Sequence, residues 1–262
     1  MELIIDTHTH YDDEQFDDGR NELLCGLKDK GIGTVIHASA SLEGLKSGLA
    51  LAKEYDFIYT MAGFHPDEIA ELSGGGYEYL ESLVASPEII RENKIVAIGE
   101  IGLDYHWMVR PKKEQIEGFR KQMRLAKRAG LPVNIHSRDA AEDTWTVMKE
   151  ERLEEIGGII HCFSGSVEMS KNYLAAGFYL GIGGVVTFKN SKKLKQVVAE
   201  APIERLVLET DCPYLAPEPN RGKRNDSSNL IYVAEEIARL KDMPASEVVR
   251  ITTENARKVY RL

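Results

Sequence analysis

Four histidines and two carboxylates stand far apart in this chain, each at or just past the end of a short apolar run. His8 and His10 close LIIDTHTH, Glu100 closes IVAIGE, His136 closes PVNIH, His161 closes GIIH and Asp211 closes LVLETD. Imidazole nitrogens and carboxylate oxygens are the donors that divalent cations take from proteins. His8 and His10 are two apart, so an extended backbone turns both rings to one face. An H-x-H pair alone occurs on many β-edges; repetition of a donor at five strand ends gives it meaning. Six donors suffice for two ions about 3.5–4 Å apart, which activate a water as nucleophile. A carboxylate has two oxygens and can bridge, so Glu100 is the expected shared ligand. His8, His10 and Asp211 then hold one ion, and His136 and His161 the other. Asp211 is expected to act also as proton acceptor and, with Glu100, to form the catalytic pair. Glu209, on the same strand face as Asp211, reads equally as a hydrogen-bond partner of a ligand histidine or as an interior ion pair.

Such donors must be gathered by a scaffold. Apolar runs recur at Leu3–Asp6, Thr34–His37, Ile58–Ala62, Ile95–Ile98, Val133–His136, Gly158–His161, Phe178–Ile182 and Leu206–Leu208. They lack polar alternation, as parallel strands covered on both faces do. Helical spacing fills the intervals: Ile116, Phe119, Met123 and Ala126, then Leu230, Val233, Ala234 and Ile237. Ser41 is a good N-cap, Ala140 marks another start, and Gly130 before Pro132 is a C-cap signal. Eight strands alternating with helices predict an α/β fold, a (β/α)8 TIM barrel over 1–262 as one domain. Its chemistry belongs at the C-terminal face of the strands. Ser73-Gly74-Gly75-Gly76 reads as a joint between short helices, because no Lys-Ser/Thr follows it as in a phosphate loop.

The chain has 262 residues, 43% hydrophobic and 29% charged, with a net charge of −9. That balance fits a globular domain with a sizeable core and argues against an extended basic face for duplex DNA. Three cysteines, Cys25, Cys162 and Cys212, are too few for a disulfide framework. No run is long enough to span a bilayer and no leader pattern is present, so a cytoplasmic location is expected.

Five segments carry a family resemblance: Asp6-Thr7-His8-Thr9-His10, Gly99-Glu100-Ile101-Gly102-Leu103-Asp104, Pro132-Val133-x-Ile135-His136-x-Arg138, His161-x-Phe163-Ser164-Gly165 and Glu209-Thr210-Asp211-x-Pro213-Tyr214-Leu215. Together, and in this order over essentially the whole chain, they resemble the TatD-related DNases of the metal-dependent hydrolase superfamily. The resemblance implies a metal-dependent DNase with two divalent ions, often acting as an exonuclease from the 3′ end or at damaged sites; Mg2+, Mn2+ or Zn2+ are the expected ions, and DNA single strands or strand ends the expected substrate. The chain departs from the family pattern twice. Asp67 follows Gly63-Phe64-His65-Pro66 where the family commonly has histidine, and Asp226-Ser227 replaces a usual Glu-Pro.

Substrate contacts are expected from Arg138, His65, Arg221 and Arg224, since arginine forks suit phosphate oxygens. A solvated loop charge is the competing reading for Lys223 and Arg224. Tyr105, His106 and Trp107 read either as a stacking surface for an unpaired base or as a lid. Two other functions compete. An ester or amide hydrolase, such as an aminoacyl-tRNA deacylase or a small-molecule amidohydrolase, would share the barrel and the metals. A binding scaffold with a relict metal site would lack a ligand or a proton acceptor, and neither is missing here.

Overall fold

The computed structural model describes residues 2–262. Its eight strands are β1 (Ile4–Thr9), β2 (Ile32–Ala38), β3 (Ile58–Ala62), β4 (Ile95–Asp104), β5 (Val133–Arg138), β6 (Gly158–Ile160), β7 (Tyr179–Ile182) and β8 (Leu206–Leu208). They form one sheet in the order β1 to β8, with helices between them, and the fold is a (β/α)8 barrel. Every strand residue of β1, β4, β6 and β8 is buried, in β6 and β8 as a short apolar run and in β1 and β4 together with polar residues.

Packing divides the chain into two compact units: Ala38–His161, and the residues on either side of it. The central unit holds β3 to β6, paired in parallel as β3·β4, β4·β5 and β5·β6. Its longest helix, Lys112–Ala129, buries Phe119, Met123, Leu125 and Ala126 on one stripe and packs on β4. Burying each such large side chain contributes roughly 1.5–3 kcal/mol. Gly130 ends this helix in the left-handed conformation (φ 65°), as its glycine signalled. Ser41 caps the helix Leu42–Glu54 by accepting from the Gly44 N–H at 3.0 Å. Gly74 and Gly75 lie between the 3-10 stretch Pro66–Ser73 and the helix Gly76–Leu83, which is the expected joint. The flanking unit pairs β1 with β2 and β7 with β8. Its helix Leu230–Lys241 buries Leu230, Val233, Ala234 and Ile237.

The largest extensions past the apolar runs are those of β1 and β4, while β2 and β5 overrun theirs by one and two residues at the C-terminal end. β1 continues to Thr9, because polar Thr7 and Thr9 donate through their hydroxyls to the carbonyls of Leu208 and Ile36 (2.9 and 3.1 Å). β4 continues six residues past Ile98, so Glu100 lies inside the strand rather than at its end. Gly102 makes that extension possible. It pairs with His136 across β4·β5 at φ 150°, and a Cβ there would stand 1.9 Å from the His136 carbonyl oxygen. Gly102→Ala is therefore expected to cost about 2–4 kcal/mol of stability. A urea midpoint within error of the wild type would contradict this close approach.

Candidate metal centre

In the flanking unit, the ends of β1 and β8 are stitched together below the H-x-H pair. Buried Asp6 accepts from the Thr210 N–H (3.0 Å) and hydroxyl (2.7 Å), and burial pushes its carboxyl up to about 7 against those bonds. The Asp211 N–H donates to the His8 carbonyl at 3.0 Å, and the His10 N–H to the Cys212 carbonyl at 2.9 Å. Asp211 itself turns with a left-handed backbone (φ 59°). Its carboxylate is thereby delivered to the histidines: Oδ1 lies 3.3 Å from His10 Nε2 and 3.8 Å from His8 Nε2. The two Nε2 atoms are 3.1 Å apart.

That spacing tests the fit of a cation. Two ligands each about 2.0–2.1 Å from one ion lie roughly 3–3.5 Å apart. Two imidazole nitrogens and an acid oxygen at these separations are a suitable donor set, and the residues fit the group.

In the central unit, Glu100, His136 and His161 converge. Glu100 Oε1 is 2.8 Å from His136 Nδ1 and 3.8 Å from His161 Nε2. His161 is held by its N–H, which donates to the Ile135 carbonyl at 2.9 Å, and Glu100 by its N–H to the Ser39 carbonyl at 3.0 Å. The other nitrogen of His136, Nε2, is 3.0 Å from Asp104 Oδ2. A histidine that offers one nitrogen to an ion commonly gives the other to a carboxylate, which fixes its tautomer. Asp104 holds that place here. The His65 ring lies 4.4 Å from the His136 ring, and His65, Asp104 and His136 bring ligand atoms within 4.8 Å of one another.

Asp104 is the residue that the apolar-run reading missed. The signal was present: Ile101 and Leu103 are apolar, and Glu100, Gly102 and Asp104 alternate with them on the opposite side of the strand. Glu209, in the flanking unit, accepts the backbone N–H of Cys162, the residue directly after His161.

Protons are strongly placed around His136 when no metal competes. Burial would lower its pKa, but hydrogen bonds to Asp104 and Glu100 outweigh this and raise it to about 9. Asp104 moves the other way. Burial would raise it, while His136 and the backbone N–H groups of Trp107 and His106 hold it down to about 2. A histidine raised on folding adds stability that is complete below its unfolded value and vanishes as pH climbs through the folded one. The metal-free protein is thus expected to lose thermal stability between about pH 6.5 and 9. His136→Asn should flatten that slope; an equal slope in the variant would assign it elsewhere.

The expected substrate residues are placed differently from one another. Arg138 ends β5 and is exposed, 5.5 Å from the centre of the Trp107 ring. Arg221 stacks on Phe188 at 4.3 Å. Arg224 donates to the Gln15 carbonyl at 2.6 Å and lies over Phe16, so it fastens two loops of the flanking unit. Asp67 sits 3.6 Å from His65 Nδ1, and burial together with Asp104 raises its pKa. Asp226 caps the turn Ser227–Asn229, and the Ser227 N–H and hydroxyl meet the Tyr11 hydroxyl at 3.0 and 2.8 Å. Both departures from the family pattern therefore have local structural partners.

The family model of the TatD-related DNases matches residues 5–261. The chain belongs to that family. Among relatives of this TatD chain, the metal-dependent hydrolase YabD of Bacillus subtilis is 45% identical over 260 residues, covering 99% of this chain and all of that one. The metal-dependent hydrolase YcfH of Escherichia coli is 32% identical over 263 residues, 99% and 96% of the two chains. Among solved structures, the TatD homologue YjjV of Escherichia coli superposes with a TM-score of 0.88 at 29% identity, over 99% of this chain and 98% of that one. The TatD family protein of Entamoeba histolytica gives 0.86 at 26% identity, with the same coverage. This TatD chain is a metal-dependent hydrolase of the (β/α)8 class, and none of its helices is long and apolar enough to cross a membrane among the described residues.

Proposed function

We propose that this chain is a divalent-metal-dependent deoxyribonuclease that hydrolyses phosphodiester bonds at the ends of single-stranded DNA. We assign His8, His10 and Asp211 to one ion, His136 and His161 to a second, and Glu100 to both. The observation that carries the reading is the meeting of His8, His10 and Asp211 at ligand spacing in a chain matched from end to end by a DNase family model. Mg2+, Mn2+ or Zn2+ held there would polarise the phosphoryl oxygens and ease deprotonation of water.

The side chains divide the remaining work. Asp211 is fixed through its own N–H on the His8 carbonyl and keeps one oxygen near the histidines. The same carboxylate is suited to orient the attacking water and take its proton. Asp104 holds His136 with Nδ1 turned toward Glu100. Arg138, exposed at the C-terminal end of β5, is suited to neutralise charge on the phosphate, with His65 beside His136 as a second contact. Arg221 and Arg224 would serve further along the strand. The same reading makes 1–262 one functional domain and places it in the cytoplasm.

The test compares purified protein on a 3′-labelled single-stranded oligonucleotide, a small phosphodiester and an acyl ester. Cleavage of the oligonucleotide that is abolished by chelation and restored by Mg2+ or Mn2+ is expected. Acyl-ester turnover with no phosphodiester cleavage would give the reaction to carboxylic ester or amide chemistry instead.

A further inference from the structure

The loop between β4 and the helix Lys112–Ala129 has two opposite characters. Its backbone is clamped. Buried Gln115 accepts from the Asp104 N–H (2.8 Å) and donates to the carbonyls of Asp104 and Arg110 (both 2.9 Å), closing the loop at its two ends. Asp104 Oδ1 accepts the N–H groups of His106 (2.8 Å) and Trp107 (3.0 Å). The Tyr105 N–H donates to the Arg138 carbonyl at 2.9 Å, and the Tyr105 hydroxyl to Asp143 at 2.8 Å. Yet the tip carries three apolar side chains in solvent: Trp107 is 64% exposed, Met108 43% and Val109 57%.

A rigid loop that presents bare tryptophan is prepared for a ligand. Ordering costs have been met in advance, so contact surface converts to affinity with little loss. The surroundings of the ring narrow the ligand. The Arg138 guanidinium is 5.5 Å from its centre, the His106 ring meets it edge-on at 4.8 Å, and His106 Nδ1 is 3.0 Å from Asp139 Oδ2, tying this loop to the one after β5. An apolar π-face beside a cation matches a nucleobase whose flanking phosphate needs neutralising. The loop is also joined to the candidate centre through one carboxylate, since Asp104 holds the Trp107 backbone with Oδ1 and His136 with Oδ2.

We infer that Trp107, with Arg138 beside it, is the platform on which an unpaired nucleobase of a single-stranded nucleic acid stacks. The inference rests on the proposed nuclease reading and assigns that site its means of selecting unpaired strands. Bases inside a duplex are stacked on both sides and have no face to offer the ring, whereas an unpaired base has.

Trp145 is the other tryptophan of the chain, so Trp145→Phe leaves Trp107 as the sole reporter. The full-length protein, in chelator to prevent turnover, is titrated with a short single-stranded oligonucleotide and with the same strand carrying abasic residues at its 3′ end. Saturable quenching by the first and binding about 5- to 150-fold weaker by the second are expected. Trp107→Ala, followed by anisotropy of labelled strands, should bring the two affinities together; the residue is exposed, so the fold is retained. Absence of binding, binding without quenching, or an affinity ratio that survives Trp107→Ala overturns the platform. Base-dependent quenching by a protein that cleaves no DNA would sink the nuclease reading alone, and DNA cleavage without quenching would sink the platform alone.

Discussion

Asp211→Asn is expected to lower kcat/KM on a small phosphodiester by about 10²- to 10⁴-fold, the usual worth of a positioned proton acceptor. Asparagine keeps the shape and the backbone N–H that donates to the His8 carbonyl, so β1 and the turn after β8 should stay in register. The substitution removes the charge and the basic oxygen that stands 3.3 Å from His10 Nε2. Metal affinity is expected to weaken with it, because a neutral amide is a poorer ligand than a carboxylate. Assay at saturating Mn2+ separates the two effects, and only the loss that persists there belongs to proton transfer. Wild-type turnover by the variant at saturating metal would remove Asp211 from the chemistry.

Glu100→Gln is expected to reduce bound metal from two equivalents to one or none and to abolish measurable hydrolysis. The carboxylate sits 2.8 Å from His136 Nδ1 and 3.8 Å from His161 Nε2, and burial leaves little water to replace it. A buried site stripped of its anion holds a dication poorly, since the ion then lacks the charge that offsets its dehydration. The same change takes from His136 one of the two acids that favour its proton. The metal-free variant should consequently lose part of the alkaline stability slope described above. Elemental analysis after dialysis reads the first effect, and two retained equivalents would rule out Glu100 as a shared ligand.

Much of this was legible in the residues. The alternation of apolar runs with helical stripes announced the barrel, and Ser41 and Gly130 marked helix ends that the structure has. β3 and β8 begin and end where their apolar runs do. Strand ends were legible only where hydrophobicity stops with the strand. β1 continues on polar residues whose hydrogen bonds are made to distant segments, such as Thr7 to Leu208, and no local pattern reports them, whereas β4 continues past Ile98 through two glycines and an alternation of apolar and acidic residues. Only the pairing of Gly102 with His136 explains why the chain stays extended there. Asp104 was legible only as the last residue of the Gly99–Asp104 segment, with no role assigned, and in the structure it grips His136 and the Trp107 loop at once. His8, His10 and Asp211, singled out by residue type after apolar runs, come together in the structure. The partners of Arg221 and Arg224 were not, because ring stacking on Phe188 and Phe16 leaves no spacing signature.

Anomalous diffraction from crystals soaked in Mn2+ bears on the metal assignment with the fewest intermediate steps. Two scattering peaks are expected, one among His8, His10 and Asp211 and one beside His136 and His161, with Glu100 reaching both. A map with no peak at the H-x-H pair, or a single ion that Glu100 does not touch, would contradict the arrangement on which the proposed hydrolysis rests.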